Sequence, residues 1–232
     1  MEFVNLTRGA EIGANSYLLR LGGKKILLDA GMHPKQAGML AMPDHRFIGE
    51  DPLDAILLTH AHQDHIGALP FMTRMHPATP VFMTEATYRI GDVMLHNSVN
   101  VMTKQLQETQ AQDYPLFTHR GVEFSRKSWR RMRVNRPFDS NGDPAPEEIS
   151  ATEPTFEFFE AGHILGSTGV LIRHEGRTLF YTGDVHFDDQ TLMQKAAFPE
   201  SGVDVLVMET TRGDAPTEPG FTRAAEELRL AE

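Results

Sequence analysis

The sequence contains no cysteine, which excludes a disulfide framework and any thiolate-bound metal. Tryptophan occurs once, and no apolar run approaches the roughly twenty residues that a membrane-spanning helix requires. The opening Met1-Glu2-Phe3-Val4-Asn5 lacks the basic start and apolar core of a secretory signal. A cytoplasmic protein without membrane attachment is therefore the expectation. Cations are in the minority too: 22 Lys and Arg stand against 32 Asp and Glu, a net charge of −10. That argues against a broadly basic nucleic-acid surface, though bound cations or a local basic patch would still attract a polyanion. What is present is an ordinary globular composition over 232 residues, 40% hydrophobic and 23% charged, enough for one substantial domain. Eleven histidines complete the inventory, and their positions carry the argument.

Periodicity suggests strands over residues 3–6, 16–21 and 25–29, with Gly22-Gly23 as a hairpin turn. The 9–13 glycines do not form a dinucleotide fingerprint, because no helix follows them. Residues 55–58 form a short apolar run of the buried-strand kind, and 64–75 has apolar residues at helical spacing. A further strand at 81–83 precedes a long helix from Glu85 to about Gln107, whose methionines suit core filling. Residues 135–154 read as loop, and strands return at 155–159, 169–173, 178–182 and 203–208. This order predicts an α/β protein with two sheets inside and helices outside. Residues 210–220 look like a polar linker. From 221 an amphipathic helix begins, with Phe221, Ala225 and Leu228 lacking any following partner, as in an element cut short.

The chemistry concentrates in Leu57-Leu58-Thr59-His60-Ala61-His62-Gln63-Asp64-His65-Ile66-Gly67. Two histidines two apart in an extended segment point the same way and can grip one ion. Asp64 and His65, at the turn into a helix, can reach a second ion. Imidazole with carboxylate suits Zn²⁺, with Mn²⁺ and Fe²⁺ as alternatives. Four polar residues on a solvated loop would look different, because apolar residues bracket this segment on both sides.

Further ligands stand at later strand ends. His163 lies in Gly162-His163-Ile164-Leu165-Gly166, where glycine permits close backbone approach. Asp184 closes Tyr181-Thr182-Gly183-Asp184 and is the natural carboxylate to bridge two ions. Asp29, in Leu28-Asp29-Ala30-Gly31, is either a turn residue or, better, a hydrogen-bonding partner that orients a ligand or the attacking water.

A second feature is basic. Arg120, Arg126, Lys127, Arg130, Arg131, Arg133 and Arg136 surround Trp129, with Glu123 among them. Two interpretations compete: a nucleic-acid contact strip centred on Arg126, Arg130 and Arg131, or a helix burying Val122, Trp129 and Met132 with solvated arginines. Among other histidines, His33 and His186 are the ones placed to approach the site, and the rest show no partner pattern.

The set Asp29, His60-x-His62-x-Asp64-His65, His163 and Asp184 resembles the metallo-β-lactamase fold superfamily throughout residues 1–210. Ala161-Gly162-His163-Ile164-Leu165-Gly166-Ser167 and Glu209-Thr210-Thr211-Arg212-Gly213 resemble its β-CASP branch of RNA- and DNA-processing nucleases, as does the stretch 9–15. The resemblance implies a four-layer αββα sandwich over 1–210, followed by 211–232 as linker and the start of a truncated β-CASP region. It also implies a two-zinc site: His60, His62 and His163 on one ion, Asp64 and His65 on the other, and Asp184 bridging. Asp64 would orient the attacking water. Glu209 matches an acidic residue that supports a downstream histidine, and no histidine follows His186 here. The expectation is a phosphodiesterase acting on single-stranded RNA or DNA that, in this length, binds metal but hydrolyses slowly or not at all. A small-molecule hydrolase (lactonase, thioesterase or β-lactamase-like) and a non-catalytic scaffold are the alternatives. Oligomeric state stays open, a dimer included.

Overall fold

The computed structural model describes residues 1–8, 13–49, 51–109, 113–146, 153–200, 202–211, 213–216 and 220–231. Most of the family-like stretch 9–15, part of the 135–154 loop, part of the 210–220 linker and Arg212 of the Glu-Thr-Thr-Arg-Gly motif lie outside them. Strands β1 (Glu2–Asn5), β2 (Tyr17–Leu21) and β3 (Lys24–Leu28) open the chain as an antiparallel meander. Gly22 and Gly23 turn β2 into β3 with φ of 56° and 77°, the doubly positive pair that a type I′ hairpin needs. The chain then enters parallel strands β4 (Ala55–Leu57), β5 (Val81–Thr84) and β6 (Trp129–Met132).

Between these strands lie helices α1 (Gln63–Ile66), α2 (Leu69–Met75), α3 (Glu85–Thr109) and α4 (His119–Ser125). The helix expected over 64–75 is thus two. Gly67 and Ala68 separate them, and Pro70 falls in the first turn of α2, where its missing N–H costs nothing. The helix weighed for the arginine-rich segment is overturned beyond Ser128. Trp129 and Val122 are buried as that option required, but Trp129–Met132 is an edge strand paired in parallel with β5.

The second sheet runs β11-β10-β9-β8-β7, from β7 (Phe138–Asp139), β8 (Thr155–Glu160), β9 (Thr168–His174), β10 (Arg177–Tyr181) and β11 (Val205–Val207). β7 sits inside the stretch expected as loop. Helix α5 (Arg223–Ala231) follows, and it buries none of its described side chains.

Alternation along the strands builds two cores. Leu18, Leu27, Ile56, Val81 and Met83 face the helices, packing with Ile66, Leu69, Met72, Leu95 and Val122. Their neighbours Leu19, Ile26, Leu28, Leu57 and Phe82 face the other sheet and meet Phe138, Phe156, Phe158, Val170 and Ile172. Two facing sheets with helices outside is the expected α/β sandwich. Among the described residues, no helix is long and apolar enough to cross a membrane.

Candidate metal centre

Parallel strands end on one edge of the sandwich, and the site lies there. β3 ends at Leu28 and hands on Asp29; β4 ends at Leu57, three residues before His60. His62 stays extended at the N-cap of α1, so His60 and His62 share a side, and Asp64 and His65 fall in the short helix behind them. Backbone bonds staple this loop to the β3 exit, Ala30 N–H to the His65 carbonyl (2.8 Å) and Met32 N–H to the Gln63 carbonyl (3.0 Å), and to the segment before β2, Asn15 N–H to the Asp64 carbonyl (2.8 Å). At Gly31 a Cβ would overlap the Asp64 carbonyl, so only glycine allows the approach.

The His163 loop arrives from the other sheet. Ser167 Oγ accepts the His163 and Ile164 amides, each at 3.1 Å, and Thr168 N–H reaches the Thr59 carbonyl at 2.9 Å. The Gly166 carbonyl accepts hydroxyls from Thr84 (2.8 Å) and Thr87 (2.9 Å), which pins the loop to the start of α3. Asp184 follows β10 by way of Gly183, whose positive φ of 55° turns the chain into the site.

These elements bring His60, His62, His163 and Asp184 together, with one ligating atom of each within 4.8 Å of all the others. His62 Nδ1 stands 3.1 Å from both His60 Nε2 and His163 Nε2. Asp184 Oδ2 is 3.8 Å from His60 Nε2 and 3.5 Å from His163 Nε2. Donors on a tetrahedral Zn²⁺ at ordinary bond lengths are about 3.3 Å apart, so the set fits such an ion after small adjustments. Beside it, His65 Nε2 is 3.2 Å from Asp184 Oδ1 and 3.8 Å from Asp64 Oδ2. Asp184 therefore faces both groups, one oxygen to each.

The outer partners decide which nitrogen is free. Asp29 is fully buried and takes four hydrogen bonds: Thr59 N–H (2.8 Å), Thr59 Oγ1–H (2.8 Å), His65 Nδ1–H (2.7 Å) and Tyr181 O–H (2.7 Å). The Thr59 hydroxyl, already donating to Asp29, accepts from His60 Nδ1 at 3.0 Å. A proton on Nδ1 of His60 leaves its Nε2 lone pair turned to the centre, and the Asp29 hydrogen bond to His65 Nδ1 makes Nε2 the His65 atom that faces it. Asp29 is thus a positioning residue behind the site, and it adopts φ of 57° there.

Electrostatics separates the two groups. Burial, reinforced by His65, His62 and His163, pushes His60 well below its ordinary value, and burial lowers His163 as well. Burial also works against a charged His65, but Asp29 and Asp184 outweigh it and raise that imidazole to about 10. For Asp184 burial raises the carboxyl, and the His65 hydrogen bond with the surrounding imidazoles brings it below the usual carboxylate range.

Other expected residues lie apart from the cluster. Glu209 accepts the Val185 amide at 2.8 Å, one residue from Asp184. His186 is exposed, its amide bonded to the Ala161 carbonyl. His33 lines a separate cavity beside Gln63 and Met102. Arg126 pairs with Asp92 and Glu123, both at 3.3 Å, and Arg131 with Glu85 at 3.2 Å. Arg130 is exposed and bonds the Lys127 carbonyl at 3.1 Å. Sequence reasoning missed Asn15, Thr59 and Tyr181. Asn15 Nδ2 lies 2.9 Å from His65 Nε2 and 3.3 Å from Asp64 Oδ2. No spacing marked any of the three, since each reaches the site from a different strand end.

Sandwich, edge and donor set together make a candidate metal centre in an α/β sandwich, and comparison with known proteins places the chain in a family. The chain belongs to the metallo-beta-lactamase superfamily, whose family model matches residues 9–222. It is 31% identical to Ribonuclease TTHA0252 of Thermus thermophilus over all of its own length and 48% of that protein's. It is 30% identical to Endoribonuclease YSH1 of Candida glabrata over 95% of this chain and 27% of that one. Cleavage and polyadenylation specificity factor subunit 3 of Dictyostelium discoideum matches at 30% over 96% of this chain and 27% of the relative. The chain thus spans about half or less of the length of these curated relatives. Relatives named as ribonucleases are what the β-CASP resemblance implied.

Proposed function

We propose that this chain is the metal-binding half of a phosphodiesterase that hydrolyses single-stranded RNA with two divalent ions, zinc by preference. The observation that carries the proposal is the meeting of His60, His62, His163 and Asp184 within 4.8 Å, beside Asp64 and His65. The ribonuclease names of its relatives supply the substrate. In this reading His60, His62 and His163 would hold one ion, Asp64 and His65 would hold the other, and Asp184 would serve both. Bound divalent ions supply a Lewis-acidic centre that acidifies water and offsets charge building on a phosphate. The residues do the rest. Asp64, partly exposed at the mouth, orients the attacking water by accepting its hydrogen bond. Asp29 and Thr59 hold the His65 and His60 tautomers, and Tyr181 helps close the back of the site against solvent. Glu209 fixes the 184–185 backbone, and so the aim of Asp184. Residues 1–210 act as the metallo-β-lactamase domain, and 211–232 as the linker and the start of a β-CASP region.

The test is hydrolysis by metal-loaded protein of single-stranded RNA, single-stranded DNA and an acyl-homoserine lactone. Slow RNA cleavage, well below an enzyme's ordinary rate, that stops with EDTA, returns with zinc and is lost in His60→Ala is the expected result. Lactone turnover without RNA cleavage would transfer the site to the small-molecule hydrolases of the fold.

A further inference from the structure

Beside the metal centre lies a cavity of about 580 Å³ that none of its ligands lines, a size within the range of small-molecule sites. The same loop builds both: His163 turns to the cluster, while Ile164 and Leu165 form a wall of the cavity. The opposite side comes from the ends of β5 and β6, where Thr84 pairs with Met132. In the six-stranded sheet β4, which leads to His60, is followed by β5 and then β6, and neighbouring strands are about 4.8 Å apart. The cavity therefore opens on the edge of the sandwich that holds the cluster, one to two strands further along.

Its lining is mixed in a particular way. Met132, Met193, Ile164 and Leu165 give a deformable apolar surface, of which Leu165 is 61% exposed. Arg133 and Glu160 stand at the same cavity. Neither has a hydrogen bond or ion pair from its side chain to another described residue, whereas nearby Arg131 is taken by Glu85. An apolar slot with one cation and one acceptor that have no side-chain partner among the described residues matches a nucleotide. The flat base covers the apolar side chains, its Watson–Crick N–H donors meet a carboxylate, and its phosphate meets a guanidinium.

We infer that this cavity receives the base of a nucleotide flanking the scissile phosphodiester, with Arg133 on the adjoining phosphate. The inference rests on the phosphodiesterase reading above and adds a base-binding subsite to it. It also adds Arg133, as the residue placed at a base subsite, to the arginine strip of Arg126, Arg130 and Arg131.

The experiment is fluorescence anisotropy with a 5′-labelled single-stranded RNA hexamer and its fully abasic counterpart, on the 232-residue chain in EDTA at low salt. Wild-type protein is expected to bind the natural hexamer roughly tenfold more tightly than the abasic one, the worth of about one stacked base. Met193→Trp, which fills the cavity, should erase that difference. Arg133→Ala should weaken both oligomers several-fold and lower the salt slope by about one, and Arg133→Lys should recover most of the loss. Thermal unfolding and zinc stoichiometry, matched to wild type, show that the variants are folded. Equal affinity of wild type for the two hexamers, an unaltered difference in Met193→Trp, or no binding at all overturns the inference. Zinc-loaded hydrolysis of bis(p-nitrophenyl) phosphate separates the two ideas. Turnover without base-dependent binding sinks the cavity alone, and base-dependent binding without turnover sinks the phosphodiesterase.

Discussion

The two sides of the centre differ in how finished they are. On one, three imidazoles and a carboxylate oxygen converge within 4.8 Å of one another, four of the separations being 3.1 to 3.8 Å. On the other, His65 and Asp64 share Asp184 with the first group, and the Asn15 amide lies against both, 2.9 Å from His65 and 3.3 Å from Asp64. On the first side burial lowers His60 and His163, which favours their neutral, ligating forms. The second is an imidazole held protonated between two carboxylates. A metal entering the first side displaces little. One entering the second must expel a proton and the Asn15 amide. If the centre takes two ions as proposed, sequential filling is the expected outcome, the first ion binding more tightly than the second.

The largest effect belongs to the finished side. His60→Ala removes a fully buried ligand and should abolish the tighter zinc equivalent in calorimetric titration. Hydrolysis should fall at least ~10³-fold, since the charge stabilisation lost is several kcal/mol and each ~1.4 kcal/mol is tenfold in rate. Two tight equivalents retained in that variant would break the comparison.

Asp29→Asn should separate the sides. It weakens the acceptor for His65 Nδ1 but leaves the first group's ligands in place. Metal affinity should drop about 10- to 100-fold for the second equivalent and little for the first. Loss of about 1–3 kcal/mol of stability should accompany it, because Tyr181 and Thr59 are buried donors to the same carboxylate. An equal loss at both equivalents would show that Asp29 serves the whole loop and not one side.

Proton linkage sharpens the contrast. His65 is raised above its ordinary value, so in metal-free protein its stabilising contribution is full below about 6.5 and fades as pH climbs through about 10. His60 is depressed, so its contribution is full above the ordinary value and fades as pH falls. Near pH 8 the second zinc should therefore release about one proton and the first almost none from His60. Calorimetry in buffers of differing ionisation enthalpy reads this directly, and identical proton release for the two equivalents would remove the electrostatic basis of the asymmetry.

How much of this was legible in the sequence follows the same division. His60, His62, His163 and Asp184 are recognisable because ligand geometry forces residue type and spacing, and the strands leading to them are short apolar runs. The alternation Leu18/Leu19 and Ile26/Leu27/Leu28 likewise marks strands that bury both faces. Asn15, Thr59 and Tyr181 were hidden because a hydrogen bond between strand ends imposes no period on the chain. The segment after Ser125 misled for a definite reason. Val122, Trp129 and Met132 fall at helical spacing, yet parallel pairing with β5 makes a strand of Trp129–Met132, and pairing between distant segments leaves no local trace. The break between α1 and α2 was readable in Pro70, a helix-start residue inside an apparently continuous helix.

The mildest prediction concerns the arginines that the sequence made conspicuous. Arg130→Ala with Arg131→Ala removes two exposed side chains, one paired with Glu85 on the surface. Pairs of that kind contribute about 0–1 kcal/mol, so thermal unfolding should shift little. Cation density along β6 still attracts a polyanion. RNA affinity at low salt should therefore fall a few-fold and equally for every sequence, with a shallower salt dependence. A large loss confined to one base composition would make these two arginines part of base recognition. Binding unchanged at all salt concentrations would instead leave β6 contributing to the metal side of the molecule only through Met132 and the cavity wall.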